Sequence, residues 1–225
     1  MATMLFLRGP AGGAPDAFVA ELRQRLETTI AASRAAVRQC VVNVNGPPPE
    51  GLPGFLRAGT GGAIAPYDAI VVVDADESVS AALVDAATRG AATAHVYRVT
   101  GTVIFERGMP PAGKPTPGIK YLRGLIHHAD MAVTAARRSW TLHAPLATRV
   151  HVGCSRYIQW WVDAVLTPDA PPFFGAADLH FPTDRDMVER FFDDAKGPID
   201  VARDTSHFIA AGPPRHYVRE LDLLS

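Results

Sequence analysis

One pattern met twice restricts this chain most: strand, helix, two strands, helix, strand, separated by a stretch that cannot be either element. That stretch is 108–118, where four prolines and three glycines fall within eleven residues. Prolines remove backbone donors and glycines carry no helical or strand preference, so it reads as a linker. Before it, Thr3–Arg8 reads as a strand. A helix runs from Pro15 to about Ala36, its apolar residues Phe18, Leu22, Leu26 and Ile30 recurring every fourth position. Strands follow at Arg38–Asn45 and Tyr67–Asp74, around a Gly/Pro-rich excursion at Gly46–Pro66. Ser78–Ala91 reads as a helix and Thr93–Glu106 as a closing strand interrupted near Gly101.

The second copy repeats the order. Ile119–His127 reads as a strand, and a helix entered at Thr134 carries Trp140 and His143, with a bend or break expected at Pro145. Strands Ser155–Leu166 and Phe173–Phe181 come next, then a helix capped by Thr183 and a closing strand Arg215–Leu224. This is the split βαβ pattern. The expected fold is α+β, two tandem ferredoxin-like βαββαβ halves forming one barrel within a single chain. Residues 1–107 make a divergent, mainly structural half, and 119–225 the half expected to carry a site.

Composition limits the function. The net charge is −1, and no basic run exists to attract nucleic acid or an anionic membrane. No apolar run is long enough to span a bilayer. Met1–Arg8 has no basic lead before its apolar residues, and Cys40 and Cys154 offer neither a disulfide framework nor a metal motif. A cytoplasmic protein with reduced thiols is the expectation. Nucleotide-binding, zinc-protease and serine-hydrolase motifs are missing, so no cofactor and no metal are expected.

Chemistry-bearing side chains concentrate in the second half. Trp140 and His143 share a helix face turned toward the sheet. On Phe173–Phe181, Phe174, Asp178 and His180 share one face of the strand. Tyr157, Gln159 and Trp161 share a face of the preceding one. His127, His128, His151, Asp204 and His207 complete the candidates, with Asp178 read either as a functional acid or as a structural ion pair with Arg123 or Arg149. Aligning the halves sets Thr29 opposite His143 and Val71 opposite Asp178, so the first half has no equivalent pair.

The run Ala136–Leu146, containing W-x-x-H-A-P-L, followed by Gly153 and Tyr157-Ile158-Gln159, resembles the EthD-like branch of the dimeric α/β-barrel superfamily. Gly175–Phe181 resembles that family's next strand, with Asp178 at its acidic position, and Asp204–Phe208 resembles its D-E-x-x-F segment with Thr205 in place of Glu. The resemblance covers residues 118–225. It implies a compact cavity between sheet and helices, no cofactor, and a small-molecule substrate. The expected activity is that of a lyase or isomerase, first a dehydratase of a hydroxylated aromatic or polyketide-like molecule. A cofactor-independent oxygenase of a phenol, and a non-catalytic accessory protein, are the alternatives. His143, Asp178, His180 and Tyr157 are the expected catalytic groups; Trp140, Gln159, Trp161, Phe174 and His127 are expected to bind substrate. Association into a homodimer stays open. The whole expectation requires His143 and Asp178 to meet in one hollow.

Overall fold

The computed structural model describes residues 2–57, 64–108, 116–210 and 214–224. The first half contains β1 (Ala2–Arg8), α1 (Pro15–Ala32), a short 3-10 turn (Arg34–Ala36), β2 (Val37–Gly46), α2 (Gly54–Arg57), β3 (Ala69–Ala75), α3 (Glu77–Thr88) and β4 (Thr93–Glu106). The second contains β5 (Ile119–Leu125), α4 (Val133–Val150), β6 (Arg156–Val165), β7 (Gly175–Phe181), α5 (Asp184–Arg190), α6 (Gly197–Thr205) and β8 (His216–Asp222). Most of the 108–118 stretch, residues 109–115, lies outside the described residues.

The eight strands close into a barrel of order β1-β3-β2-β8-β5-β7-β6-β4, every neighbour antiparallel. Each half supplies the ferredoxin-like order, 4-1-3-2 and 8-5-7-6. The halves do not merely stack. Two ladders sew them together, β2 to β8 from Val41↔Asp222 to Gly46↔Tyr217, and β4 to β6 from Tyr97↔Val165 to Glu106↔Arg156. Closure leaves no edge strand with unpaired backbone groups.

Alternation along each strand divides the core into three. Leu5, Leu7, Val42, Val71 and Val73 pack under α1 and α3. Ile119, Tyr157, Ala177, Leu179 and Phe181 pack under the second half's helices. Met4, Phe6, Ile70, Val72, Leu122, Trp160, Ala176 and Val218 fill the barrel. Val71 thus faces helices, whereas Asp178 sits among the barrel residues. The expected alignment of these two is out by an odd number of residues, which turns every side chain to the opposite face.

Four elements differ from expectation. The first helix ends at Ala32 and tightens into the 3-10 turn. β4 passes Gly101 without interruption. A Cβ there would come within 2.7 Å of the Trp160 ring, so the glycine admits the indole. α4 continues through Pro145, because that residue is exposed and the Thr141 carbonyl it leaves without an intrahelical donor is on the solvent side. α6 was not anticipated. No helix of the described residues is long and apolar enough to cross a membrane.

Candidate functional site

α4 carries its buried side chains, Ala136, Trp140, His143, Ala147 and Val150, along one stripe against the sheet. Between this stripe, the helix-facing side of β5, β6 and β7, and α6 lies a cavity of about 210 Å³. Trp140, His143, His151, Tyr121, Tyr157 and Leu179 line its depth. Phe191, Phe192, Val201 and Ala202 form the helical wall, and Arg123 and Arg215 also border it. Phe55 and Leu56 of the first half's α2 complete the lining. The Gly/Pro-rich excursion therefore reaches over the second half. It is pinned there by Tyr217, whose hydroxyl donates to the Leu56 carbonyl, and by Arg215 donating to the same carbonyl at 2.9 Å.

Within the cavity His143 is 5% exposed, and its Nδ1 is 2.6 Å from Oδ2 of Asp204 at the end of α6. A carboxylate accepts, so Nδ1 carries the proton and Nε2 presents a lone pair. Nε2 has no partner among the described residues. Burial pushes the His143 pKa below its ordinary value, and the Asp204 carboxylate opposes that fall without cancelling it. The imidazole is therefore neutral at neutral pH.

Tyr157 is fixed from two sides. Its hydroxyl oxygen accepts from Trp140 Nε1 at 2.9 Å and from Gln159 Nε2 at 3.3 Å. The Gln159 amide orientation follows from its second bond, in which Nε2 donates to the Trp140 carbonyl at 3.0 Å. With both lone pairs used, the Tyr157 proton has no acceptor among the described residues, and the residue lines the cavity. Burial raises its pKa, so the phenol stays protonated. One acceptor, His143 Nε2, and one donor, Tyr157 O–H, thus serve the same apolar space.

Trp140 lies flat on β7 because Gly175 permits it; a Cβ at Gly175 would approach the indole to 2.4 Å. Behind Trp140 stand Trp161 at 4.7 Å and Phe174 at 5.7 Å between ring centroids. These two buttress the wall and do not border the cavity. Gln159 likewise acts behind Tyr157. His127 bonds the His128 carbonyl through Nδ1 at 2.8 Å, packs on Phe174, and lies outside the cavity lining.

The expected meeting of His143 and Asp178 does not occur. Asp178 and His180 point into the barrel, on the opposite side of the sheet from His143. Asp178 accepts from Lys120 Nζ at 3.3 Å and from Trp160 Nε1 at 3.4 Å. Lys120 also pairs with Glu220, which Arg156 binds at 2.9 Å. Lys120, rather than Arg123 or Arg149, is the cation that makes Asp178 affordable inside. His180 has both ring nitrogens engaged, on Ser155 Oγ at 2.6 Å and the Pro117 carbonyl at 2.9 Å. The carboxylate that does reach His143 is Asp204, in the D-x-x-x-F segment singled out in the sequence. Phe208 of that segment packs 6.3 Å from the imidazole. Among the described residues no three His, Cys, Asp or Glu side chains gather as a metal would require.

No protein-family model matches this sequence, and no curated protein matches it. Several solved structures share its architecture. A presumptive monooxygenase from Lactobacillus acidophilus NCFM superposes with TM-score 0.50 at 6% identity, over 99% of this chain and 93% of that one. An anthrone oxidase-like protein gives 0.53 at 8% identity, over 99% and 92%. A presumptive monooxygenase from Fusobacterium nucleatum subsp. nucleatum ATCC 25586 gives 0.53 at 8%, over 98% and 91%. Identities this low speak to the fold alone: the chain has the dimeric α/β-barrel architecture, built within one polypeptide.

Proposed function

We propose that the second half is a cofactor-independent acid–base enzyme acting on a hydroxylated aromatic or polyketide-like small molecule, its first activity a dehydration. The observation that carries this reading is that the His143–Asp204 pair and Tyr157 line one cavity. His143 Nε2 takes a proton from the carbon beside a substrate carbonyl. Asp204 holds Nδ1–H and balances the imidazolium that forms. Tyr157 donates its proton as a hydrogen bond to the enolate oxygen. The imidazolium then returns the proton to the departing hydroxyl, and water leaves. Because Asp178 stands on the other side of the sheet, one imidazole must serve as base and acid in turn. Both groups must then leave from the same face of the substrate, a syn elimination. A cavity of about 150 Å³ is known to hold benzene, so about 210 Å³ is on the scale of one to two aromatic rings.

The resemblance to the EthD-like branch, carried by Trp140, His143, Pro145, Tyr157 and Gln159, supports the same assignment. A second reading is favoured by the presence of a single proton-transfer group. Deprotonation of a phenol by His143, bonding of O₂ to the electron-rich ring as a hydroperoxide with the proton returned from the imidazolium, and loss of water to leave a quinone make the substrate its own two-electron reductant and need no separate acid. The fold likeness to proteins described as a monooxygenase and as anthrone oxidase-like accords with it.

The test is product mass with a panel of hydroxylated aromatic ketones. Loss of water marks the first activity and gain of oxygen the second. His143→Ala is expected to remove turnover, by about 10²-fold or more, with the unfolding midpoint retained. Turnover unchanged in a folded His143→Ala protein refutes the reading.

A further inference from the structure

A second imidazole borders the cavity without a part in the chemistry just described. His151 follows the last turn of α4, two turns beyond His143, and is 4% exposed. Its Nδ1 is 2.8 Å from the Phe191 carbonyl, and its ring is wedged between Phe191 and Phe192, at 5.1 and 5.3 Å between centroids. A carbonyl only accepts, so Nδ1 carries the ring's proton and Nε2 is a lone pair. That nitrogen has no partner among the described residues. The residue borders the cavity. His151 therefore differs from His143 in kind. No carboxylate pairs with it, and its pKa is pushed down to about 4, mainly by burial. It is a fixed hydrogen-bond acceptor rather than a base.

We infer that His151 is a specificity-determining residue whose Nε2 accepts a hydrogen bond from a second hydroxyl of the substrate. This rests on the acid–base reading and narrows its substrate class. The lining also carries Tyr121, Arg123, Thr205 and Arg215; three of its polar positions concern this reading, an acceptor at His143, the hydroxyl of Tyr157 and a second acceptor at His151. The fitting ligand carries an oxygen acceptor and two separate hydroxyl donors on an otherwise apolar frame. His151 follows α4 two turns beyond His143, so the two acceptors meet different parts of a ligand, and a fused two-ring skeleton with one hydroxyl on each ring is the probe that can reach both. A buried acceptor left unpaired rejects a ligand that lacks the matching hydroxyl, which gives the discrimination its size.

Binding of 2-naphthol and of 2,7-dihydroxynaphthalene, measured by calorimetry at pH 7, tests this. Wild type is expected to prefer the diol by about tenfold, the worth of one hydrogen bond. His151→Phe keeps the ring packing and removes both nitrogens. His151→Asn keeps an N–H at the position that serves the Phe191 carbonyl and draws the remaining acceptor, its amide oxygen, back by about one bond length from the Nε2 position, so it covers the case in which His151→Phe fails to fold. Loss of the preference in the folded variant, with 2-naphthol affinity within about twofold, supports the inference. A preference absent from wild type, or retained in His151→Asn, overturns it and leaves the acid–base reading standing. If neither naphthol binds wild type, both fall.

Discussion

Lys120→Met should be among the most damaging single substitutions in this chain, although Lys120 does not line the cavity and sits on the opposite face of β5 from Tyr121, which does. The barrel encloses four charged side chains, Lys120 and Arg156 against Asp178 and Glu220. Lys120 is 3% exposed and Asp178 2%. Lys120 is the one cation in contact with both carboxylates, Asp178 at 3.3 Å and Glu220 by a shorter bond. Its removal leaves Asp178 buried without a cation in contact and its partner oxygen dependent on Trp160 alone. Breaking one side of such a pair costs about 3–5 kcal/mol. For a chain of this length that corresponds to a melting point lower by about 10 °C. Combining Lys120→Met with Asp178→Leu removes one charge of each sign and keeps the Arg156–Glu220 pair, so at least half of the loss should return. Urea unfolding followed by tryptophan fluorescence measures both. A Lys120→Met protein within about 1 kcal/mol of wild type, or a double variant no better than the single, refutes the view that the barrel charges form one balanced unit.

Four further outcomes are expected. Asp178→Asn should lower stability while sparing kcat/KM, and a kcat/KM loss comparable to that of His143→Ala in a folded protein refutes the separation of the two sides of the sheet. Asp204→Asn should lower kcat/KM by about tenfold or more, since a neutral amide cannot balance the imidazolium; the pH–rate profile should also move to lower pH, because the carboxylate raises the His143 pKa. Acid should destabilise the fold, as urea midpoints between pH 7 and 4 would record. His151 and His216 titrate at about 4 when folded and near 6.5 when unfolded, so the unfolded chain binds more protons across that window. Each contributes about 3 kcal/mol that is present above pH 6.5 and lost as pH falls toward 4; Glu220, held at about 2 by Lys120 and Arg156, adds a loss below its ordinary value. Gly175→Ala should cost about 1–3 kcal/mol and shift tryptophan fluorescence, because the new methyl meets the Trp140 ring.

The β-α-β-β-α-β order could be read because turn residues and apolar periodicity mark element ends locally. Thr183 illustrates this, accepting from the Asp186 N–H at 3.0 Å as its position before the helix predicts. The face of β7 could not be read. All seven of its residues are buried, so no polar side distinguishes outside from inside. The alternation correctly groups Asp178 with His180, yet a carboxylate in such a strand suggests a cavity only if its cation is unknown, and Lys120 lies 58 residues away in sequence. Asp204 was among the candidates, yet its partnership with His143 escaped for a related reason. Its role depends on α6, whose start at Gly197-Pro198 carries a real signal, proline at the first turn. The Phe55 and Leu56 contribution had none, since a Gly/Pro-rich excursion does not declare which half it will cover.

The two ladders that sew the halves together make each half the other's completion. Cut within 108–118, either piece would expose two raw strand edges, and the surfaces best suited to satisfy them are those of the missing piece. Fragment complementation is therefore built into the seams, and the covalent connection works chiefly by holding the complementary piece at high local concentration. Free C-terminal piece, supplied during refolding, would compete with the tethered one for the seams of the N-terminal half.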